Sequence, residues 1–247
     1  MTKPSTFARR LFALVLAIAA PAALAADPYA ELQSAGTDIG NTASLQRGAA
    51  LYMNYCAGCH SLQYQRYSRI AEDLGLPEEM VQEHLNFVGV QFGDVVKTGI
   101  DPGHGVAWFG QAPPDLSLIA RSRGVDWIYT YLKSFYIDEE RPLGWNNTLF
   151  PGASMPNPLW QLQGIQRAVL VEENGETHVE GLELAEPGRL SEREFNQVAR
   201  DITAFLEYVG EPAALQRRAL GVWVLLFLAV LTGLTWLLKK EYWRDVH

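Results

Sequence analysis

Residues 56–60 read Cys56-Ala57-Gly58-Cys59-His60 and contain both cysteines of a 247-residue chain. Cys-x-x-Cys-His is the attachment signature of a c-type haem. Two thiols about one helical turn apart can each add to one of the two vinyl groups of a single porphyrin. The next residue then brings its imidazole over the ring centre as the proximal iron ligand. A thioredoxin-like dithiol would instead need a preceding strand in a βαβ setting, whereas Leu45, Ala49, Tyr52 and Met53 have helical spacing. A structural zinc site needs four ligands, and no other cysteine supplies a second pair. The motif therefore predicts one covalent haem c, with Cys56 and Cys59 as thioether sites and His60 on the iron.

Both ends of the chain are apolar for reasons unrelated to a core. Lys3, Arg9 and Arg10 precede Leu11–Leu16 and an Ala-rich stretch closing at Ala23-Leu24-Ala25, the build of a secretory signal peptide. Residues 1–25 are assigned to it. Near the other end, Ala219–Leu238 is 20 residues without a charge, about 30 Å of helix and enough to cross a bilayer core. Arg217 and Arg218 flank it on one side; Lys239, Lys240 and Arg244 follow it, with Trp236, Tyr242 and Trp243 at belt positions. This predicts a periplasmic cytochrome domain over 26–216, a transmembrane anchor over 217–240 in the cell inner membrane, and a cytoplasmic tail over 241–247. The chain's net charge of −8 hides basic ends of +3 each, so residues 26–216 carry −14. Such a surface repels nucleic acid and steers basic partners.

The second axial ligand is less constrained. Met53 sits on the attachment helix itself, and Met80 and His84 fall in a predicted helix over Pro77–Phe87. Met1 belongs to the signal and His247 to the tail; His104 and His178 remain open by spacing. Met155 lies in Pro151-Gly152-Ala153-Ser154-Met155-Pro156-Asn157-Pro158, where three prolines and a glycine exclude helix. A thioether on such a loop suits a distal ligand, and the plain alternative is a packed core methionine. A Met/His pair gives a higher potential than two nitrogens.

In Pro113-Pro114-Asp115-Leu116-Ser117 a proline carbonyl is suited to accept the Nδ1–H of His60. Arg121 is suited to pair with a propionate, or simply to face solvent. A helix is predicted over Val125–Phe135, and a small β-hairpin over Val169–Glu180 around Asn174-Gly175. Ser191 and Glu194 make a capping box opening a helix whose apolar stripe runs Phe195, Val198, Ile202, Phe205 and Leu206. The fold class is mainly α, a haem domain with long loops and one C-terminal transmembrane helix. No phosphate loop or nucleophile motif is present.

Cys56-x-x-Cys59-His60-Ser61, then Ala112-Pro113-Pro114-Asp115-Leu116-Ser117 with Arg121, then Pro151-Gly152 and Met155-Pro156, with one terminal anchor, resemble the cytochrome c1 family across nearly the whole mature chain. The resemblance implies a haem subunit of the ubiquinol–cytochrome c oxidoreductase (cytochrome bc1 complex), itself dimeric. Such a subunit takes electrons from the Rieske iron–sulfur subunit, passes them to a c-type cytochrome, and sits beside a cytochrome b subunit in lipid. It also implies His60 and Met155 as the iron ligands and Arg121 near a propionate. No substrate bond would be broken on this subunit. A membrane-tethered cytochrome that feeds a terminal oxidase alone is the competing reading. Trp108-Phe109-Gly110-Gln111 departs from the family's Asn-containing segment, and a second cysteine pair is absent.

Overall fold

The computed structural model describes residues 32–173 and 176–245. The predicted signal peptide, the Asn174-Gly175 turn and His247 lie outside the described residues. The first half holds α1 (Thr42–Tyr55), β1 (Leu62–Arg66), α2 (Tyr67–Leu74), α3 (Glu78–His84), β2 (Val95–Val96) and α4 (Pro102–Phe109). Next come α5 (Ile119–Ser122), α6 (Val125–Lys133), β3 (Phe135–Ile137), β4 (Trp145–Asn147) and α7 (Trp160–Gln163). The chain continues through β5 (Gly164–Glu173), β6 (Glu176–Pro187), α8 (Glu192–Gly210) and α9 (Ala213–Tyr242).

Helix α1 begins at Asn41, whose side chain accepts from the Ser44 amide at 3.2 Å, satisfying one of the free donors at a helix start. Its apolar face buries Leu45, Gly48, Ala49, Tyr52 and Met53. Helix α8 starts with the capping box read from the sequence, Ser191 and Glu194 bonding reciprocally, and buries Phe195, Ile202, Phe205 and Leu206. These two faces meet. A Cβ at Gly48 would stand 2.0 Å from the Asp201 carbonyl oxygen and 2.8 Å from the Phe205 Cβ, so the helices touch backbone to backbone there. One turn on, the Tyr52 and Phe205 rings lie 5.7 Å apart.

Asp201, 2% exposed, is the one charged group in that interface among the buried residues described. It accepts from Arg47 Nε at 2.7 Å, Gln197 Nε2 at 2.8 Å and the Ser44 hydroxyl. A carboxylate buried without such partners would cost several kcal/mol.

Three antiparallel two-stranded pieces decorate the helices: β1–β2, β3–β4 and β5–β6. The predicted hairpin over 169–180 is longer, Gly164–Pro187, with register breaks at Ile165/Gln166 and Val169/Leu170. The helix predicted over 125–135 ends at Lys133. The Lys133 carbonyl is taken by the amides of Gln163 (3.0 Å) and Gln166 (2.9 Å), and Phe135 pairs with Asn147 instead.

Helix α9 follows directly from α8 across Glu211–Pro212. Arg217 reaches back to Glu211. Its 30 residues have a mean hydropathy of 2.2 in the most apolar window, none of that window buried, and span about 45 Å. By length and composition it is able to cross a membrane.

Gly48→Ala should destabilise the domain by about 1–3 kcal/mol, roughly 2–4 °C in Tm per kcal/mol at this size. Gly181→Ala, where a Cβ meets nothing within 4 Å, should be near neutral. Thermal unfolding followed by circular dichroism in detergent compares the two; equal melting would show that the helices do not approach as described.

Candidate haem site

The motif sits where α1 runs out. The Tyr52 carbonyl accepts from both Cys56 N (2.8 Å) and Ala57 N (2.9 Å). The Cys56 carbonyl then accepts from Cys59 N (3.0 Å) and His60 N (2.8 Å). This tight turn is pinned twice from outside. Tyr52 Oη donates to the His60 carbonyl at 3.0 Å, and Thr98 Oγ1 to the Gly58 carbonyl at 2.9 Å. Both cysteines are free thiols. Burial, and then the neighbouring Cys59, push the Cys56 thiol up to about 12, so it stays protonated.

His60 Nδ1 lies 2.7 Å from the Pro114 carbonyl oxygen. A carbonyl only accepts, so Nδ1 carries the proton and Nε2 keeps its lone pair. Burial lowers the basicity of the ring, against the Pro114 bond and the Asp115 charge, and the imidazole is held as a neutral donor.

Pro114 is where it is because of Asp115. Asp115 Oδ2 accepts from Ser61 Oγ (2.7 Å) and Gln63 N (2.8 Å), and its Oδ1 from Ser117 N (2.9 Å). Leu116 N donates to the Ser61 carbonyl at 3.0 Å, and Tyr64 N to Ser117 Oγ at 3.1 Å. Residues 115–117 are thereby stitched to residues 61–64. Burial alone would raise the Asp115 carboxyl; the bonds from Ser117, Gln63 and Ser61 outweigh it and hold the group below its ordinary value.

Met155 stands on a loop built from asparagines. Asn147 Oδ1 accepts from Leu149 N and Phe150 N, both at 3.0 Å. Asn146 Oδ1 accepts from Gly152 N at 2.8 Å and Asn157 Oδ1 from Leu159 N at 2.9 Å. Arg141 Nη2 donates to the Gly152 carbonyl at 2.8 Å. Tyr131 Oη lies 3.7 Å from Met155 Sδ.

Cys56, Cys59, His60, Pro113, Pro114 and Met155 all line one cleft of ≈ 570 Å³, completed by Tyr55, Phe109, Gln111, Ser154, Pro156 and Pro158. The lining is mostly carbon. Two reduced thiols, an imidazole with a free Nε2 and a thioether on these walls form a donor set that fits a c-type haem. Arg121 is not among the lining residues; its Nη1 pairs with Glu211 Oε2 at 2.7 Å. Nor do Met80 and His84 line the cleft; they sit exposed on α3. Phe109 and Gln111, from the segment that departs from the family pattern, do line it.

Four contributors escaped the sequence reading: Tyr52, Asp115, Tyr131 and Asn147. Asp115 had a local signal, since Asp followed two residues later by a serine amide makes an Asx turn. The other three act over 8 to 24 residues of separation, where nothing local marks them.

The Cytochrome C1 family matches the chain over residues 37–98 and 104–246. The chain is 49% identical over 243 residues to the cytochrome c1 of Allochromatium vinosum, covering 97% of this chain and 100% of that protein. It is 42% identical over 217 residues to the ammonia monooxygenase gamma subunit of Nitrosomonas europaea, covering 88% and 89%. It is also 28% identical over 256 residues to the cytochrome b/c1 of Bradyrhizobium diazoefficiens, covering 83% of this chain and 33% of that longer protein.

Asp115→Ala should cost about 1–3 kcal/mol, because buried donors lose a charged acceptor. Since the folded-state carboxyl is held below its ordinary value, its contribution is full above that value and lost as pH falls through the lowered one. Asp115→Asn should remove that acid-limb dependence. Urea unfolding at stepped pH checks it; an unchanged limb would rule the clamp out.

Proposed function

The chain belongs to the cytochrome c1 family, and on that premise we propose that it is the haem-bearing subunit of a quinol–cytochrome c oxidoreductase. In this reading it accepts single electrons from a Rieske iron–sulfur subunit and hands them to a c-type cytochrome. What carries the reading is the meeting of Cys56, Cys59, His60 and Met155 in one cleft, in a chain with a membrane-capable C-terminal helix.

Bound haem c supplies a one-electron iron couple. The chain's own residues do the rest. Cys56 and Cys59 hold the group covalently, so it is kept where a lost cofactor is not recovered. His60, fixed in its Nδ1–H tautomer by Pro114, would offer Nε2 to the iron, and Met155 would offer its thioether. Prolines 113, 114, 156 and 158 with Phe109 give the cleft apolar walls, and outer-sphere transfer needs no group to move a proton. The net negative charge of residues 26–216 favours a basic carrier and speeds its encounter.

Signal peptide 1–25 places the haem domain on the periplasmic side, with α9 as the anchor in the inner membrane. Lys239 and Lys240 in the last turn of the helix and Arg244 after it suit a cytoplasmic end. A cytochrome b subunit is the partner beside the anchor, in keeping with the joint name of the Bradyrhizobium relative, and the whole complex is dimeric. The likeness to a monooxygenase gamma subunit favours a second reading: the same electron carrier attached to a different membrane complex.

Gentle solubilisation of native membranes separates these. The expected preparation contains one high-potential c-type haem, b-type haems and an iron–sulfur protein, and is reduced by quinol. The same haem purified with a monooxygenase, or alone and unreduced by quinol, would overturn the first reading.

A further inference from the structure

The thioether of Met155 has a hydrogen-bond donor behind it. We propose that Tyr131 is a positioning residue whose hydroxyl donates to Met155 Sδ, fixing the thioether for the metal and raising the reduction potential. This rests on the reading of Met155 as axial ligand.

The Oη–Sδ separation is 3.7 Å, within reach for the larger sulfur atom, which is a weak acceptor. The donor is locked in place. The Tyr131 ring stacks on Trp127, with centroids 4.9 Å apart and planes 10° apart, and meets Phe135 edge-on at 4.9 Å. The Tyr131 carbonyl accepts from Asn147 Nδ2 at 2.9 Å. Asn147 Oδ1 in turn accepts the Leu149 and Phe150 amides that open the Met155 loop. Donor helix and acceptor loop are thus one unit, joined at two points.

Methionine has three rotatable side-chain bonds, and a loop alone leaves its sulfur several settings. A thioether sulfur has two lone pairs. The hydroxyl takes one, which turns the other toward the cleft that Met155 lines. The bond also draws charge from the sulfur. A poorer donor stabilises oxidised iron less than reduced iron, so the couple shifts to higher potential; hydrogen bonding to a ligand is one of the ways a protein tunes such sites. Only the iron's electron is exchanged, and the tyrosine proton stays on oxygen.

The test uses the haem-loaded full-length protein in its native membrane. Tyr131→Phe keeps the ring and its stacking and removes only the hydroxyl. The expected result is a threefold to tenfold shift of the reduction equilibrium toward the oxidised state, about 30–60 mV at 59 mV per tenfold for one electron. The near-infrared band of thioether-ligated ferric haem should persist but move. Met155→Lys, run in parallel, should abolish that band and lower the potential far more. If Met155→Lys acts and Tyr131→Phe leaves both potential and band at wild type, Tyr131 is mere packing and the proposal fails. If Met155→Lys itself is silent, the ligand assignment fails and takes the proposal with it.

Discussion

Helix α1 lies so close to α8 at Gly48 that only a hydrogen atom fits there, and the cleft is referred to that contact. With a Cβ distance of 2.0 Å to the Asp201 carbonyl, the two backbones form a rigid pair with little room to slide. The buried Asp201 adds direction to the contact, because its partners on α1, Ser44 and Arg47, are met in one register. The end of α1 is consequently fixed in space, and the end of α1 is where Cys56 leaves the helix. A cofactor held by two covalent bonds inherits whatever precision its attachment helix has.

From that fixed point the remaining parts are placed by side chains bonding to backbone, not by further helices. Tyr52 holds the His60 carbonyl, Asp115 holds residues 61–64 against 115–117, and Asn147 shapes the start of the Met155 loop. Irregular backbone carries free donors and acceptors that must be paired when buried. Short Asp, Asn and Ser side chains do this locally and leave the chain free to bend around a flat ligand. The result is a cleft with helical rigidity behind it and loops at its walls, which suits a site that must exchange only electrons.

The same economy explains where the charges lie. Among the described residues Asp201 is a buried carboxylate with structural partners, while the cleft takes its polarity from thiols, imidazole, thioether and backbone carbonyls. Among the described residues the other carboxylates are exposed or half-buried, where their charge acts on what approaches the surface. Helix α9, by length and composition, is able to cross a membrane.

Much was legible without coordinates. The attachment motif, the apolar terminal segment, the capping box at Ser191 and the helical stripe of α8 are local patterns, because helices and caps are specified by residues within one or two turns. The proline carbonyl facing His60 was foreseen as a type of contact, and Pro114 is the one that makes it. Other features were decided only by tertiary structure. Helix α6 stops two residues early because Gln163 and Gln166, some 30 residues on, claim the Lys133 carbonyl. The hairpin runs well past its predicted limits because cross-strand pairing, not alternation alone, sets where strands end. Arg121 meets Glu211, 90 residues away. Tyr131 reaches Met155 because α6 and the asparagine-built loop are packed together. Sequence periodicity records which face of an element is buried; what that face meets depends on the path of the whole chain, and only the folded structure contains it.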